Sequence, residues 1–129
     1  MTAKPQTDPG SFRDHRGRVF LSNGQILRTV QDSALEDVEK LQSTGLMEEL
    51  IARRFLIGTR QVSCPENALP DFKSARLLLE HDCLPFISYP YEWSFEQLKD
   101  AAIFHLDLQL FILDRDFVLS DASAYNVQF

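Results

Sequence analysis

The chain has 129 residues, 44% of them hydrophobic, enough for one domain with a buried core. Its 13 basic and 19 acidic residues leave a net charge of −6, which argues against a general nucleic-acid binder, because neutralising phosphates needs a surplus of Lys and Arg. Cys64 and Cys83 are too few for a zinc framework and no signal peptide is evident, so both read as thiols of a soluble, cytoplasmic protein.

Residues 1–11 are polar, carry Pro5, Pro9 and Gly10, and are expected to form a flexible tail. From Phe12 onward a single α+β domain, 12–129, is expected. Gly17–Leu21 and Gln25–Val30 flank Asn23-Gly24, a pair that tolerates the positive φ angles of a tight hairpin turn, so a β-hairpin is predicted there. Arg13, Arg16, Arg18 and Arg28 make this region locally basic, as a solvated face or an anion contact.

Ser33-Ala34-Leu35-Glu36 has capping-box spacing and predicts a helix whose face carries Leu35, Val38, Leu41 and Gln42, stopped by Gly45. A second short helix is expected over Leu46–Phe55, with Leu46, Met47, Leu50 and Ile51 as its apolar stripe. Leu56–Val62 reads as a strand and Cys64–Asp71, with its two prolines, as a surface loop. Strands are expected at Ala75–Glu80, where Arg76–Glu80 reads as either strand or helix, and at Leu84–Ser88, giving a small antiparallel sheet. Ser94 and Gln97 repeat the capping-box spacing ahead of a long helix to Leu113 or Asp114. Apolar residues surround almost its whole circumference, which predicts a central buried helix. Its run from Ala101 is broken by His105, Asp107 and Gln109 and falls short of the ~20 residues of a membrane span.

After that helix, short strands are expected at Phe117–Leu119 and Asn126–Phe129 around a loop carrying Asp121 and Asn126. Their five-residue spacing matches the catalytic loop of protein kinases, where the Asp accepts a hydroxyl proton and the Asn holds a metal ion. Asp121 and Asn126 are therefore the candidate catalytic pair, and Asn126 the candidate ligand for Mg²⁺. The same residue types are those that turns prefer. No later Asp is available for the metal, the residues before Asp121 are Leu119 and Ser120 rather than His-Arg, and no glycine-rich phosphate loop occurs. The pattern is that of a partial, kinase-like scaffold. His15, His81 and His105 lack metal-ligand spacing. The aromatic residues Phe86, Tyr89, Tyr91, Trp93 and Phe95 suit either a core junction or a platform for a planar ligand.

Several strings carry a wider resemblance: Asp8-Pro9-Gly10-Ser11-Phe12-Arg13-Asp14, Gly17-Arg18-Val19-Phe20, Ser43-Thr44-Gly45-Leu46 with Glu49-Leu50, Pro85 through Phe95 with Gln97 through Ala102, and Asp121 to Phe129. From Asp8 onward the chain resembles the amino-terminal region of a bacterial and archaeal family of class I S-adenosylmethionine-dependent methyltransferases, also called host-specificity nodulation proteins. The resemblance implies a longer protein whose later Rossmann-like domain holds S-adenosylmethionine (SAM). No glycine-rich donor-binding turn occurs in these residues, so no SAM site carries over and the cofactor-binding residues are unknown. The expected role is a non-catalytic leading module whose partner is the methyltransferase portion, with no nucleic acid and no membrane. The alternatives are a kinase-like phosphotransferase or nucleotide-binding fragment using Asp121 and Asn126, and a stand-alone interaction domain.

Overall fold

The computed structural model describes residues 5–64, 70–120 and 122–129. These fall into two compact units that divide after Cys83. Each is an α+β or helical assembly in its own right.

The first unit is built on a five-stranded antiparallel sheet. Its strands are β1 (Gln6–Thr7), β2 (Val19–Ser22), β3 (Gln25–Val30), β4 (Thr59–Val62) and β5 (Leu77–His81), in the order β1-β2-β3-β5-β4. The expected hairpin is β2–β3, with Ser22 opposite Gln25. Its turn residues Asn23 and Gly24 have φ of 50° and 80°, the left-handed pair whose twist matches two antiparallel strands. β1 lies within the polar leading segment: Gln6 and Thr7 pair with Leu21 and Phe20, and Asp8 then caps a 3₁₀ turn over Pro9–Arg13. Backbone pairing and a cap satisfy this polar segment without apolar side chains.

Among the described residues three helices accompany the sheet: α1 (Asp32–Ser43), α2 (Leu46–Ala52) and the single turn α3 (Pro70–Lys73). α1 starts upstream of the expected Ser33 cap. Gln31 is held extended by the hydrogen bond its backbone N–H donates to the Arg16 carbonyl, and Asp32 brings its charge to the first turn, where the helix dipole favours it. Gly45, at φ 72°, separates α1 from α2, and Leu46, Met47 and Leu50 are buried as the stripe predicts. α2 ends before Phe55 because the amides of Phe55 and Leu56 both turn back to the Leu50 carbonyl.

Register sets the two faces of the sheet. Phe20, Leu27, Glu80 and Arg60 lie opposite one another in a row across four strands, and Leu78 and Val62 share that face two residues away. Phe20, Leu27, Leu78 and Phe72 of α3 form its core, the two phenyl rings meeting edge-on at 4.5 Å. Val30 and Leu79 are buried on the opposite face. The expected loop over Cys64–Asp71 lies partly outside the described residues, and its end is the start of α3.

The second unit, Leu84–Phe129, is organised by α4 (Phe95–Leu113). Ser94 accepts from the Gln97 amide while the Gln97 side chain accepts from the Ser94 amide, the reciprocal cap foreseen from their spacing. Leu84–Ser88 is not a strand. Pro85 has no amide to give a ladder, and the Ser88 backbone is taken up by a side chain instead. The strands expected at Phe117–Leu119 and Asn126–Phe129 are likewise irregular backbone around a 3₁₀ turn at Ala124–Asn126. The Phe117 amide bonds back to the Ile112 carbonyl and the Leu119 amide to the Gln109 side chain, so this segment folds against its own helix rather than into a ladder.

α4 also departs from the expected central burial. Among its residues only Ala101 and Ile112 are buried, while Leu106 and Leu110 are 60% and 64% exposed.

Candidate functional site

The closing segment was the sequence's candidate site, and the structure shows how it is held. Ser88 and Gln128 bond in both directions: the Ser88 amide donates to Gln128 Oε1 at 2.9 Å and Gln128 Nε2 donates to the Ser88 carbonyl at 3.0 Å. The Ser88 hydroxyl accepts from the indole of Trp93 at 2.9 Å, and Phe129 closes edge-on over Trp93 at 5.0 Å. The last residues are thus strapped to the segment that leads into α4.

Asn126 sits within that strap. Its carboxamide oxygen accepts from both the amide and the hydroxyl of Ser123, at 3.0 and 3.2 Å, and so closes its own turn. Asp121 lies outside the described residues. Among the described residues of this segment the backbone forms a 3₁₀ turn and no strand. Among the described residues, no three His, Cys, Asp or Glu side chains come together as a metal set. Of the aromatic residues, Tyr89 and Tyr91 stack in parallel at 5.5 Å and remain exposed, Trp93 is buried, and Phe86 and Phe95 are exposed.

Sequence reading missed a polar row at the β3–β5–β4 end of the sheet. Glu80, only 8% exposed, receives the Gln25 side-chain amide at 3.0 Å and the Arg60 guanidinium at 2.7 Å. Arg60 also reaches Asp82 at 3.2 Å. A carboxylate ending the run Leu77-Leu78-Leu79 is tolerated because it is paired on two sides. On the opposite face, His81 Nδ1 lies 2.9 Å from the Thr59 hydroxyl, whose own proton goes to the Ile57 carbonyl. The Thr59 oxygen therefore accepts from His81, placing the imidazole proton on Nδ1. Nε2 is buried with no hydrogen-bond partner among the described residues. Burial, then the Arg28 charge, hold the imidazole below its ordinary value, partly offset by Asp82.

The basic residues at the hairpin resolve into separate contacts. Arg16 faces Asp37 at 3.7 Å, Arg28 faces Asp14 at 3.8 Å, and Arg13 lies over the Phe12 ring. Between the hairpin base and the start of α1 is an open, polar cleft of about 520 Å³ lined by residues including Asp14, His15, Arg18 and Asp32. Cys64 and Cys83 are exposed and form no disulfide. No helix is long and apolar enough to cross a membrane among the described residues.

Comparison with known proteins then adds a relative. The chain is similar to a nodulation protein. It is 44% identical over 126 residues to nodulation protein NoeA of Rhizobium meliloti (strain 1021), a match covering 98% of this chain. The chain spans about a quarter, 26%, of that relative's length. No family model and no solved structure matches. The similarity supports the nodulation-protein link that the sequence strings suggest, and it places nearly all of the chain beside a part of a longer protein.

Proposed function

We propose that this chain works as a non-catalytic leading module of a nodulation-type protein several times its length, and that its task is to dock the portion carrying the chemistry. The observation that carries this is the surface of α4. A 19-residue helix with only two buried residues leaves Ile103, Leu106, Leu110 and Leu113 in solvent. Monomeric proteins rarely leave apolar patches beyond a few hundred Å² uncovered, and covering each such side chain fully is worth roughly 1.5–3 kcal/mol. The partial match to a longer relative supplies a natural source of cover.

Methyl transfer enters with the family resemblance and belongs, in this proposal, to the portion outside the match. When bound there, S-adenosylmethionine supplies the electrophilic methyl group. The residues here do not fit that cofactor. Such sites use a glycine-rich turn between a parallel strand and a helix, whereas every strand pairing among the described residues is antiparallel. No step is assigned to this chain through SAM, nor through Mg²⁺ at Asn126, whose oxygen is engaged by Ser123.

The test is to produce this chain and the unmatched portion of NoeA as two polypeptides. Co-elution in size-exclusion chromatography, with SAM binding by calorimetry only in the sample holding the second polypeptide, is the expected result. Methyl transfer by this chain alone, or two species that never associate, would overturn it.

A further inference from the structure

The exposed helix face has a charge pattern as well as an apolar one. Ile103, Leu106, Leu110 and Leu113 recur at helical spacing and, with Phe95 one end along, make a stripe on one side of α4. At 3.6 residues per turn, Glu96, Asp100, Asp107 and Asp114 all project along one flank of that stripe. All four are exposed. Lys99 stands within the stripe, between Phe95 and Ile103, and reaches this flank at 3.2 Å from Glu96. The other flank, with Ala102, His105 and Gln109, carries no carboxylate.

Resting on the docking reading above for the partner's source, we infer that the α4 stripe is the seat for an amphipathic protein helix bearing its own apolar stripe and a basic edge. A helix of that kind buries the leucines while setting Lys or Arg against Asp100, Asp107 and Asp114, the pattern by which flanking charges select partners in paired helices. The same acidic flank disfavours the other occupants. Antiparallel self-pairing lays acidic edge against acidic edge between chains that each carry a net −6. A membrane surface, usually anionic, repels such an edge where interfacial helices carry Lys and Arg.

The experiment uses the full chain and two synthetic helical peptides of about 18 residues sharing one leucine stripe, one edged with Lys and one with Glu. Binding is followed by fluorescence anisotropy of labelled peptide at low salt. The expected result is that the Lys-edged peptide binds about tenfold tighter than the Glu-edged one. The preference reverses in the Asp100→Lys/Asp107→Lys chain, and Leu106→Ser/Leu110→Ser loses both peptides. Circular dichroism of each variant confirms that α4 is retained. Equal binding of the two peptides, binding of neither, or binding that survives the leucine changes overturns the inference. So does a dimer in light scattering that the leucine changes abolish, which makes a second copy the occupant. Association with the NoeA portion that ignores the charge reversal sinks the charged seat and leaves the module standing. A Lys preference without that association sinks the module alone.

Discussion

Gln128 and Ser88, forty residues apart, exchange two hydrogen bonds through one side chain and one backbone position. A primary amide carries a donor and an acceptor on adjacent atoms, which suits it to this exchange with a backbone N–H and C=O. Gln128→Leu leaves the Ser88 amide and carbonyl without these partners, and a loss of about 1–3 kcal/mol is expected in denaturant unfolding. The single tryptophan, Trp93, donates to the Ser88 hydroxyl, so its emission should shift red in the variant under native conditions.

Gly17 lies directly against the Thr29 backbone, and a Cβ there would collide with the Thr29 carbonyl. The collision cannot be relieved by a rotamer, because Thr29 is fixed to Arg18 through its amide at 2.9 Å and through its hydroxyl, which accepts from the Arg18 amide at 2.9 Å. Gly17→Ala should cost about 1–3 kcal/mol, the range of overpacked sites, measured as a fall in the urea midpoint at unchanged slope.

His81 makes stability depend on pH with a definite sign. Its folded pKa is lowered, so the unfolded chain binds a proton that the folded chain resists. The contribution is whole above the ordinary imidazole value of 6.5 and declines as pH falls from there toward the lowered folded value. Unfolding free energies measured between about pH 8 and pH 5 should show this decline in the native sequence and a shallower one in His81→Gln.

The two sides of α4 should respond oppositely to truncation. Ile112 is 5% exposed and Leu110 is 64% exposed. Ile112→Ala should lower stability by about 2–4 kcal/mol, as buried large-to-small changes do, whereas Leu110→Ala should stay within about 0.5 kcal/mol. Thermal melts of the two purified variants give the comparison; equal losses would contradict the exposure of the Leu110 face.

Local chemistry was what the sequence displayed most openly. Asn23-Gly24 marks its turn because few residues accept two positive φ angles, and Ser94 with Gln97 marks the start of α4 because their side chains satisfy each other's amides. Long-range relations were silent. Nothing in Leu77-Leu78-Leu79-Glu80 says that the carboxylate is covered, since its partners Gln25 and Arg60 come from other strands. In the closing segment, Asn126 closes a turn with the oxygen that the kinase-like reading assigns to a metal, and spacing alone does not separate the two uses. The apolar circumference of α4 suggested burial all round, whereas only Ala101 and Ile112 are buried, because periodicity shows which residues are apolar and not what packs on them.

The strand order carries a consequence for how this molecule is made. β5 lies between β3 and β4, so Ile26 finds His81 and Thr59 finds His81 only after the ribosome has released the later strand. Until then the β2–β3 hairpin presents a bare edge along Ile26–Val30, and the chain already emerged has nothing to zip against. Synthesis therefore passes through an interval in which a sticky ribbon awaits its middle neighbour, a moment at which a holding chaperone would have most to protect.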